Sequence, residues 1–402
     1  WFNFCCTYNL SFRTVLNMKK KIAILGSTGS IGKTLINILK KDKKNFEIVL
    51  LSANTNLNEI VNQVDIFSVK NIVINDYKTF VKAKKILKNR KVKIHNNFNN
   101  LKNILKNKKI DYVMSSIIGL DGLVPTIKII KFCKTIAIAN KESIICAWNL
   151  IKKEIDKYNV SFVPVDSEHF SIWSLLSNKN EKNVKHIYIT ASGGPFINYK
   201  LNRFKKIRLK DALKHPSWSM GKKITIDSAT MMNKVFEVIE TNRIFDIDYK
   251  KITILSHEKS YVHAIIEFEN GLIKFLAHDT DMKIPIFNSL YKDKEIFSKK
   301  LNIDYMNNLN LNKINYKKFP VIKLLKNYPK KNSLFDTILI SINDTLVGLF
   351  LKKKLSFIDI SKKLIIYSKF KEFQKYKKIS PKNVEEITKL SKYVSLKVQS
   401  MC

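Results

Sequence analysis

The 402-residue chain is predicted to be an α/β protein: an N-terminal doubly wound parallel sheet, then an α+β part with a flexible lid, then a C-terminal helical segment. Three observations lead there. Apolar strand-like runs alternate with helical periodicity over the first 165 residues, the chain's 10 glycines fall largely in clusters at the ends of such runs, and residues 333–402 read as a helical cap. At roughly 150 residues per domain, the length itself calls for two or three domains.

Residues 21–25 are an apolar run (Ile22, Ala23, Ile24, Leu25) expected to be a buried strand, and residues 30–40 place Ile31, Leu35, Ile38 and Leu39 at helical spacing. Gly26-Ser27-Thr28-Gly29-Ser30-Ile31-Gly32 joins them. The glycines allow a tight turn and close backbone approach, while the helix start turns free N–H groups toward an anion. A Rossmann-like dinucleotide site is the reading this context favours, with a purely structural turn as the alternative. The next strand, expected at 47–52, runs into Ala53-Asn54-Thr55-Asn56, with no acid to hold ribose hydroxyls, and on that absence NADP is preferred to NAD. Strands at 72–74, 91–94, 111–117 and 135–139, with lysine-rich helices between them, complete the parallel sheet.

The polar clusters follow. Asn140-Lys141-Glu142-Ser143 leaves the carboxyl end of a strand, where α/β sites gather; helix capping by Ser143 is the plainer alternative. A strand at 161–165 ends in Asp166-Ser167-Glu168-His169, whose acids at i and i+2 suit Mg²⁺ or Mn²⁺, or form a solvated loop pair. Asp227 through Glu237 reads as one helix, capped by Ser228 or a neighbour. On it Asn233, Lys234 and Glu237 fall within about a turn, either meeting one ligand such as a phosphate or forming a polar surface face. Residues 189–196 are a strand running into the pair Gly193-Gly194, which presents Ser192. His215, Trp218, Met220 and Gly221 have the composition of a closing lid, or of a surface loop with a buried tryptophan.

Composition narrows the partners. The net charge of +40, from 73 basic against 33 acidic residues, ordinarily raises nucleic acid or an anionic membrane. Here lysine and asparagine are scattered along the whole chain, as compositional drift would leave them, so neither nucleic acid nor a membrane is expected as a partner. Cys5, Cys6, Cys133, Cys146 and Cys402 form no paired framework and no metal-ligand pattern, which points to a reducing compartment. No stretch reaches the roughly 18 uncharged apolar residues of a membrane span, so a soluble protein is expected. Residues 1–17, apolar and free of acids, are expected to be a leader remnant or an upstream extension outside the fold.

Six of these motifs, in order and at matching spacing, resemble 1-deoxy-D-xylulose 5-phosphate reductoisomerases from Met18 onward. They are Gly26 to Gly32, Asn140 to Ser143, Pro164 to His169, Ala191 to Phe196, His215 to Gly221 and Asp227 to Lys234. The resemblance implies isomerisation of 1-deoxy-D-xylulose 5-phosphate and NADPH reduction to 2-C-methyl-D-erythritol 4-phosphate, in a homodimer using Mg²⁺ or Mn²⁺, with Co²⁺ also admitted. It implies metal ligation by Asp166, Glu168 and Glu237, with Lys141 catalytic beside them. Substrate contacts would come from Ser167, Glu168, Ser192, His215, Trp218, Ser228, Asn233, Lys234 and Glu237. Cofactor contacts would come from Gly26, Ser27, Thr28, Gly29, Ser30, Ile31, Asn56, Asn140, Lys141, Glu142, Gly221 and Met282. The implied domains are 18–165 for NADPH, 166–300 for catalysis with a lid at 192–222, a linker at 301–332, and 333–402. A cytoplasmic location, or a plastid-type organelle if 1–17 is a leader, is expected. Departures from the family pattern are Thr55 without the expected base, Val235 crowding the phosphate helix, Thr280 before Asp281-Met282, and Asp344 for the usual glutamate after Asn343.

Overall fold

The computed structural model describes residues 19–402 apart from 100, 106–108, 177–182, 217, 219 and 292–308. The expected extension 1–17 and the first part of the expected linker lie outside the described residues. Seven parallel strands form the first sheet: β1 (Lys20–Leu25), β2 (Phe46–Ala53), β3 (Asn71–Ile74), β4 (Lys93–His95), β5 (Ile110–Ser115), β6 (Cys133–Ile138) and β7 (Ser161–Pro164). Their spatial order is β4-β3-β2-β1-β5-β6-β7, so the chain reverses its direction of winding between β1 and β5. β1 shows why the run has no polar alternation: Ala23 and Leu25 pack into one apolar cluster and Ile22 and Ile24 into another, since helices cover both faces. The strand expected to reach residue 117 stops at Ser115, because Ser116 turns off to hydrogen-bond Leu25 O and lies against Gly26. Likewise the strand expected from 91 begins at Lys93.

The second sheet contains β8 (Val184–Ala191), β9 (Ile252–Ser256), β10 (Val262–Phe268), β11 (Ile273–Ala277) and β12 (Asn312–Lys313), in the order β11-β10-β8-β9-β12. β8 and β9 are parallel and the other pairs antiparallel, as an α+β unit requires. The C-terminal segment is helical, with Leu334–Leu351, Phe357–Ser368 and Val384–Ser400 as its long members. Among described residues, Leu334–Leu351 is the one helix long and apolar enough to cross a membrane by length and composition. It is 72% buried inside the protein and carries Asp336 and Asp344, so it reads as a core helix.

The segment from Asp227 to Glu237 corrects the expectation of one helix. It is two, Lys222–Ala229 and Met232–Phe245, separated at Met231, whose φ of 65° is left-handed. That conformation costs about 1–2 kcal/mol for a residue with a Cβ. Burial of the Met231 and Met232 side chains offsets it.

Candidate active site

Three helix starts converge at the carboxyl ends of the first sheet. Asn140 follows β6 and caps the helix Lys141–Tyr158 by accepting from Ser143 N at 2.6 Å; the cap is thus Asn140 and not Ser143. The same amide donates to Gly119 O at 2.7 Å and to Ile117 O, tying the helix start to the loop after β5. Asp166 follows β7 and caps the helix Ser167–Leu175, accepting from Glu168 N at 3.3 Å. The two acids therefore meet through the first turn of a helix, not through strand alternation. The helix Met232–Phe245 supplies Asn233, Lys234 and Glu237 from its first turns.

The carboxylate oxygens of Asp166, Glu168 and Glu237 lie within 4.8 Å of one another. Lys141 Nζ stands 3.0 Å from Asp166 Oδ2 and 3.0 Å from Glu237 Oε1, and donates to Asn233 Oδ1 at 2.8 Å. Lys234 Nζ pairs with Glu168 Oε1 and Glu237 Oε2, and Ser167 Oγ donates to Glu168 Oε2 at 2.6 Å. Two ammonium groups thus face three carboxylates. Burial, reinforced by Glu237, pushes Glu168 up to about 7. Burial also works against ionised Asp166, but Lys141 and His169 overcome it and hold that carboxyl well below its usual range. Three hard oxygen donors within reach of one another suit Mg²⁺ or Mn²⁺.

A second group of side chains faces the first. His215 Nε2 is 3.1 Å from Ser192 Oγ and 3.1 Å from Ser228 Oγ, while its Nδ1 accepts from Trp218 N at 2.9 Å. That acceptor assigns the proton to Nε2, which donates to a serine hydroxyl. Burial and the nearby Lys234 push the imidazole down to about 4, so it is neutral at physiological pH. Hydroxyls and a neutral imidazole N–H, with the Lys234 ammonium acting on them, form a donor-rich group of the kind a phosphate needs. Gly193 and Gly194, at φ of 79° and 62°, let the chain turn sharply so that Gly194 N donates to Ser192 Oγ at 3.2 Å. In the segment expected to form a lid, Trp218 sits edge-on to His263, with centroids 6.0 Å apart, and His263 stacks on His278 at 3.9 Å. Val235 is fully buried and leaves Asn233 and Lys234 turned to the site.

The glycine turn is built where the winding reverses. Gly26 has φ 82°, and a Cβ there would stand 2.9 Å from the Ser116 backbone, so only glycine lets the turn close against β5. Gly26 N donates to Ser52 Oγ and Ser27 N to Ser52 O, both at 2.8 Å, and Gln63 Nε2 donates to Ser27 O at 3.0 Å. Gly29 occupies the cap position of Ser30–Lys40 with no side-chain cap, leaving that helix start open to an anion. Thr28 and Ile31 are half-buried and Ser30 is exposed at the same turn. This bare cradle suits a dinucleotide pyrophosphate. Asn56 caps Leu57–Phe67 by accepting from Glu59 N at 3.3 Å, Gly221 caps Lys222–Ala229, and Met282 precedes Lys283–Leu290 and packs against the first sheet's core. Glu142 is turned toward Lys223, 2.6 Å away.

Several residues at the site carried no sequence signal of a role. His169 Nδ1 lies 3.1 Å from Asp166 and 3.4 Å from Glu240, and its Nε2 approaches Glu237 O at 2.9 Å. Glu240, and Lys223 beside Glu142, likewise carried no such signal. The only available cue was spacing, since His169 and Glu240 each follow a proposed metal ligand by three residues on a helix.

Comparison with known proteins gives the chain's family. Residues 22–148 match the family 1-deoxy-D-xylulose 5-phosphate reductoisomerase, 162–245 its C-terminal domain, and 278–395 the DXP reductoisomerase C-terminal domain. The chain is 59% identical over 385 residues to a 1-deoxy-D-xylulose 5-phosphate reductoisomerase of Pelagibacter ubique, covering 95% of this chain and 99% of that one. It is 39% identical over 346 residues to that of Clostridium kluyveri, covering 85% and 90%. Among solved structures it is similar to the Zymomonas mobilis enzyme in complex with NADPH, with TM-score 0.85, 29% identity, and 96% and 99% of the two chains covered. It is also similar to a DOX-P reductoisomerase in complex with NADPH, fosmidomycin and magnesium, with TM-score 0.88, 27% identity, and 95% and 98% covered.

Proposed function

The chain belongs to the 1-deoxy-D-xylulose 5-phosphate reductoisomerase family, and on that premise we propose that it isomerises 1-deoxy-D-xylulose 5-phosphate and reduces the product with NADPH. The outcome is 2-C-methyl-D-erythritol 4-phosphate, the committed step of non-mevalonate isoprenoid precursor synthesis. One observation supports this reading above the rest: a three-carboxylate cluster, within 4.8 Å, is paired with Lys234, whose ammonium also acts on His215 in the group of Ser192, His215 and Ser228. A phosphorylated substrate therefore has a place for each end. An NADP-dependent dehydrogenase acting without metal has no use for the three acids.

In this reading Asp166, Glu168 and Glu237 hold the divalent cation, and the glycine turn with Asn140, Glu142, Gly221 and Met282 holds NADPH. When bound, the cation supplies Lewis acidity toward adjacent carbonyl and hydroxyl oxygens, and NADPH supplies the hydride. Lys141 presents its ammonium where negative charge develops on those oxygens during the carbon-skeleton rearrangement. Ser167 contacts the oxygen-bearing carbons of the substrate. Ser192, Ser228, Asn233 and Lys234 bind its phosphate, with neutral His215 donating from Nε2. Trp218 covers the site and excludes water. NADPH oxidation in the presence of 1-deoxy-D-xylulose 5-phosphate is expected to need Mg²⁺ or Mn²⁺ and to collapse in Glu168→Ala. Turnover like the parent enzyme's in that variant overturns the metal assignment.

Two further readings accompany it. A homodimer is supported by β11, the terminal strand of the second sheet, whose outer edge pairs with no other strand among the described residues and beside which Leu272, Ile273 and Phe275 are exposed, a surface that a second copy would cover. The named relatives are bacterial, which favours the cytoplasm over a plastid.

A further inference from the structure

Lys223 sits at a junction of four helices. Its Nζ lies 2.6 Å from Glu142 Oε1, 2.9 Å from Asp344 Oδ1 and 3.5 Å from Asp227 Oδ2, and 5.8 Å from the centre of the Phe236 ring. Asn343 donates to the other Asp227 oxygen at 2.8 Å. Glu142 is in the first turn of Lys141–Tyr158, Lys223 and Asp227 are on Lys222–Ala229, Phe236 is on Met232–Phe245, and Asn343 and Asp344 are on Leu334–Leu351. Two of the contacts adjoin groups already placed at the site, Glu142 beside Lys141 and Asp227 beside Ser228, and Lys223 itself follows Gly221 by two; Asp344 brings in the C-terminal segment.

The Lys223 and Asp344 side chains remain about a quarter and a third exposed, and ion pairs that retain that much solvent add little to stability. Three carboxylates around one ammonium also overshoot what charge balance asks. A purely structural joint would be served as well by apolar side chains. What the arrangement does supply is direction. The lysine fixes the Glu142 carboxylate and the start of the lid-side helix relative to a helix of the C-terminal segment.

We propose that Lys223 and Asp344 are positioning residues, through which the C-terminal helix Leu334–Leu351 sets the placement of Glu142 and Gly221 and so tunes NADPH affinity without touching NADPH. The proposal rests on the cofactor role given above to Glu142 and Gly221. Burial opposes the charge on Lys223, but Glu142, Asp227 and Asp344 hold it firmly ionised, so the joint persists at neutral pH.

The test is NADPH binding by the full chain, read from the cofactor's own fluorescence without substrate or metal, alongside KM for each substrate. Asp344→Asn, which removes the charge and keeps the shape, is expected to weaken NADPH binding by about fivefold or more while leaving KM for the sugar phosphate unchanged. Asp344→Glu, which restores the charge, is expected to restore affinity. Lys223→Arg, which keeps the charge and alters its reach, is expected to show the same selective loss and serves if the asparagine variant does not fold. NADPH binding like the parent's in these variants overturns the proposal. So does a parallel rise of both KM values with a lowered thermal midpoint, the mark of a merely structural role. A parent enzyme that binds NADPH yet does not turn over 1-deoxy-D-xylulose 5-phosphate would defeat the proposed reaction, and the fluorescence comparison would still decide this point.

Discussion

The helix that carries Asn233, Lys234 and Glu237 is anchored at its far end by Arg243, and removing that anchor has a predictable cost. Arg243 Nη2 lies 3.0 and 3.2 Å from the two Asp336 oxygens, and the guanidinium also donates to Lys330 O at 3.0 Å and Pro329 O at 3.2 Å. Asp336 accepts further from Tyr328 Oη at 2.8 Å, Asn332 Nδ2 at 2.7 Å and Ser333 N at 2.9 Å. Both side chains are almost wholly buried, at 2% and 0% exposure, so neither regains water when its partner is deleted. Breaking such a pair costs about 3–5 kcal/mol. The two deletions are unequal. Arg243→Met leaves Asp336 with three donors and belongs near the low end, about 3 kcal/mol. Asp336→Leu strips the guanidinium of its only counter-ion among the described contacts and orphans three donors besides, which places it near about 5 kcal/mol. The double variant is expected to cost less than the sum, with a coupling of up to about 3 kcal/mol. Urea denaturation followed by far-ultraviolet circular dichroism measures all three. Single variants within about 1 kcal/mol of the parent, or Arg243→Met the costlier of the two, would refute the reasoning.

Two further predictions concern His215 and the glycine turn at Gly26. The folded His215 titrates at about 4 against 6.5 for the free side chain, so as pH falls the unfolded chain binds the proton first. Its contribution to stability is complete above pH 6.5 and is lost as pH falls toward 4; an imidazole NMR titration gives the pKa directly, and a midpoint near 6.5 contradicts the buried, Lys234-facing placement. For Gly26→Ala, a Cβ 2.9 Å from the Ser116 backbone at φ 82° should cost about 1–3 kcal/mol and loosen NADPH binding. A thermal midpoint and an NADPH affinity both unchanged would show that the turn is not tight there.

What was legible in the sequence was chiefly local. The apolar run, glycine turn and helix at the start of the sheet were readable because strand burial, turn geometry and helix period all act within a dozen residues, and the helix spans Ser30–Lys40 as expected. The carboxylates and the phosphate-type donors were readable as motifs, yet their mutual distances depend on three helix starts brought together by the sheet. Lys223 escaped notice because its partners, Glu142 and Asp344, lie 81 and 121 residues away and no local pattern joins them. His169 was visible in its motif but not as a neighbour of Glu240, since that contact requires two helices to face each other. The break at Met231 was not readable either. Methionine is a good helix former, and it is tertiary burial of the side chain, not propensity, that holds the left-handed turn.

That break has an electrostatic consequence. In one continuous helix from Lys222 to Phe245, the peptide groups around Asn233 and Lys234 would have been mid-helix, with each N–H bonded to a carbonyl one turn earlier and their dipoles cancelled by neighbours. Because the chain restarts after Met231, those same peptides open a new helix. The first N–H groups of a helix have no carbonyls of their own to satisfy, and roughly half a positive elementary charge gathers at that end. The backbone therefore adds its own field beside the ammonium of Lys234. A substitution that straightened the turn would remove that field while leaving every polar side chain of the site in the sequence.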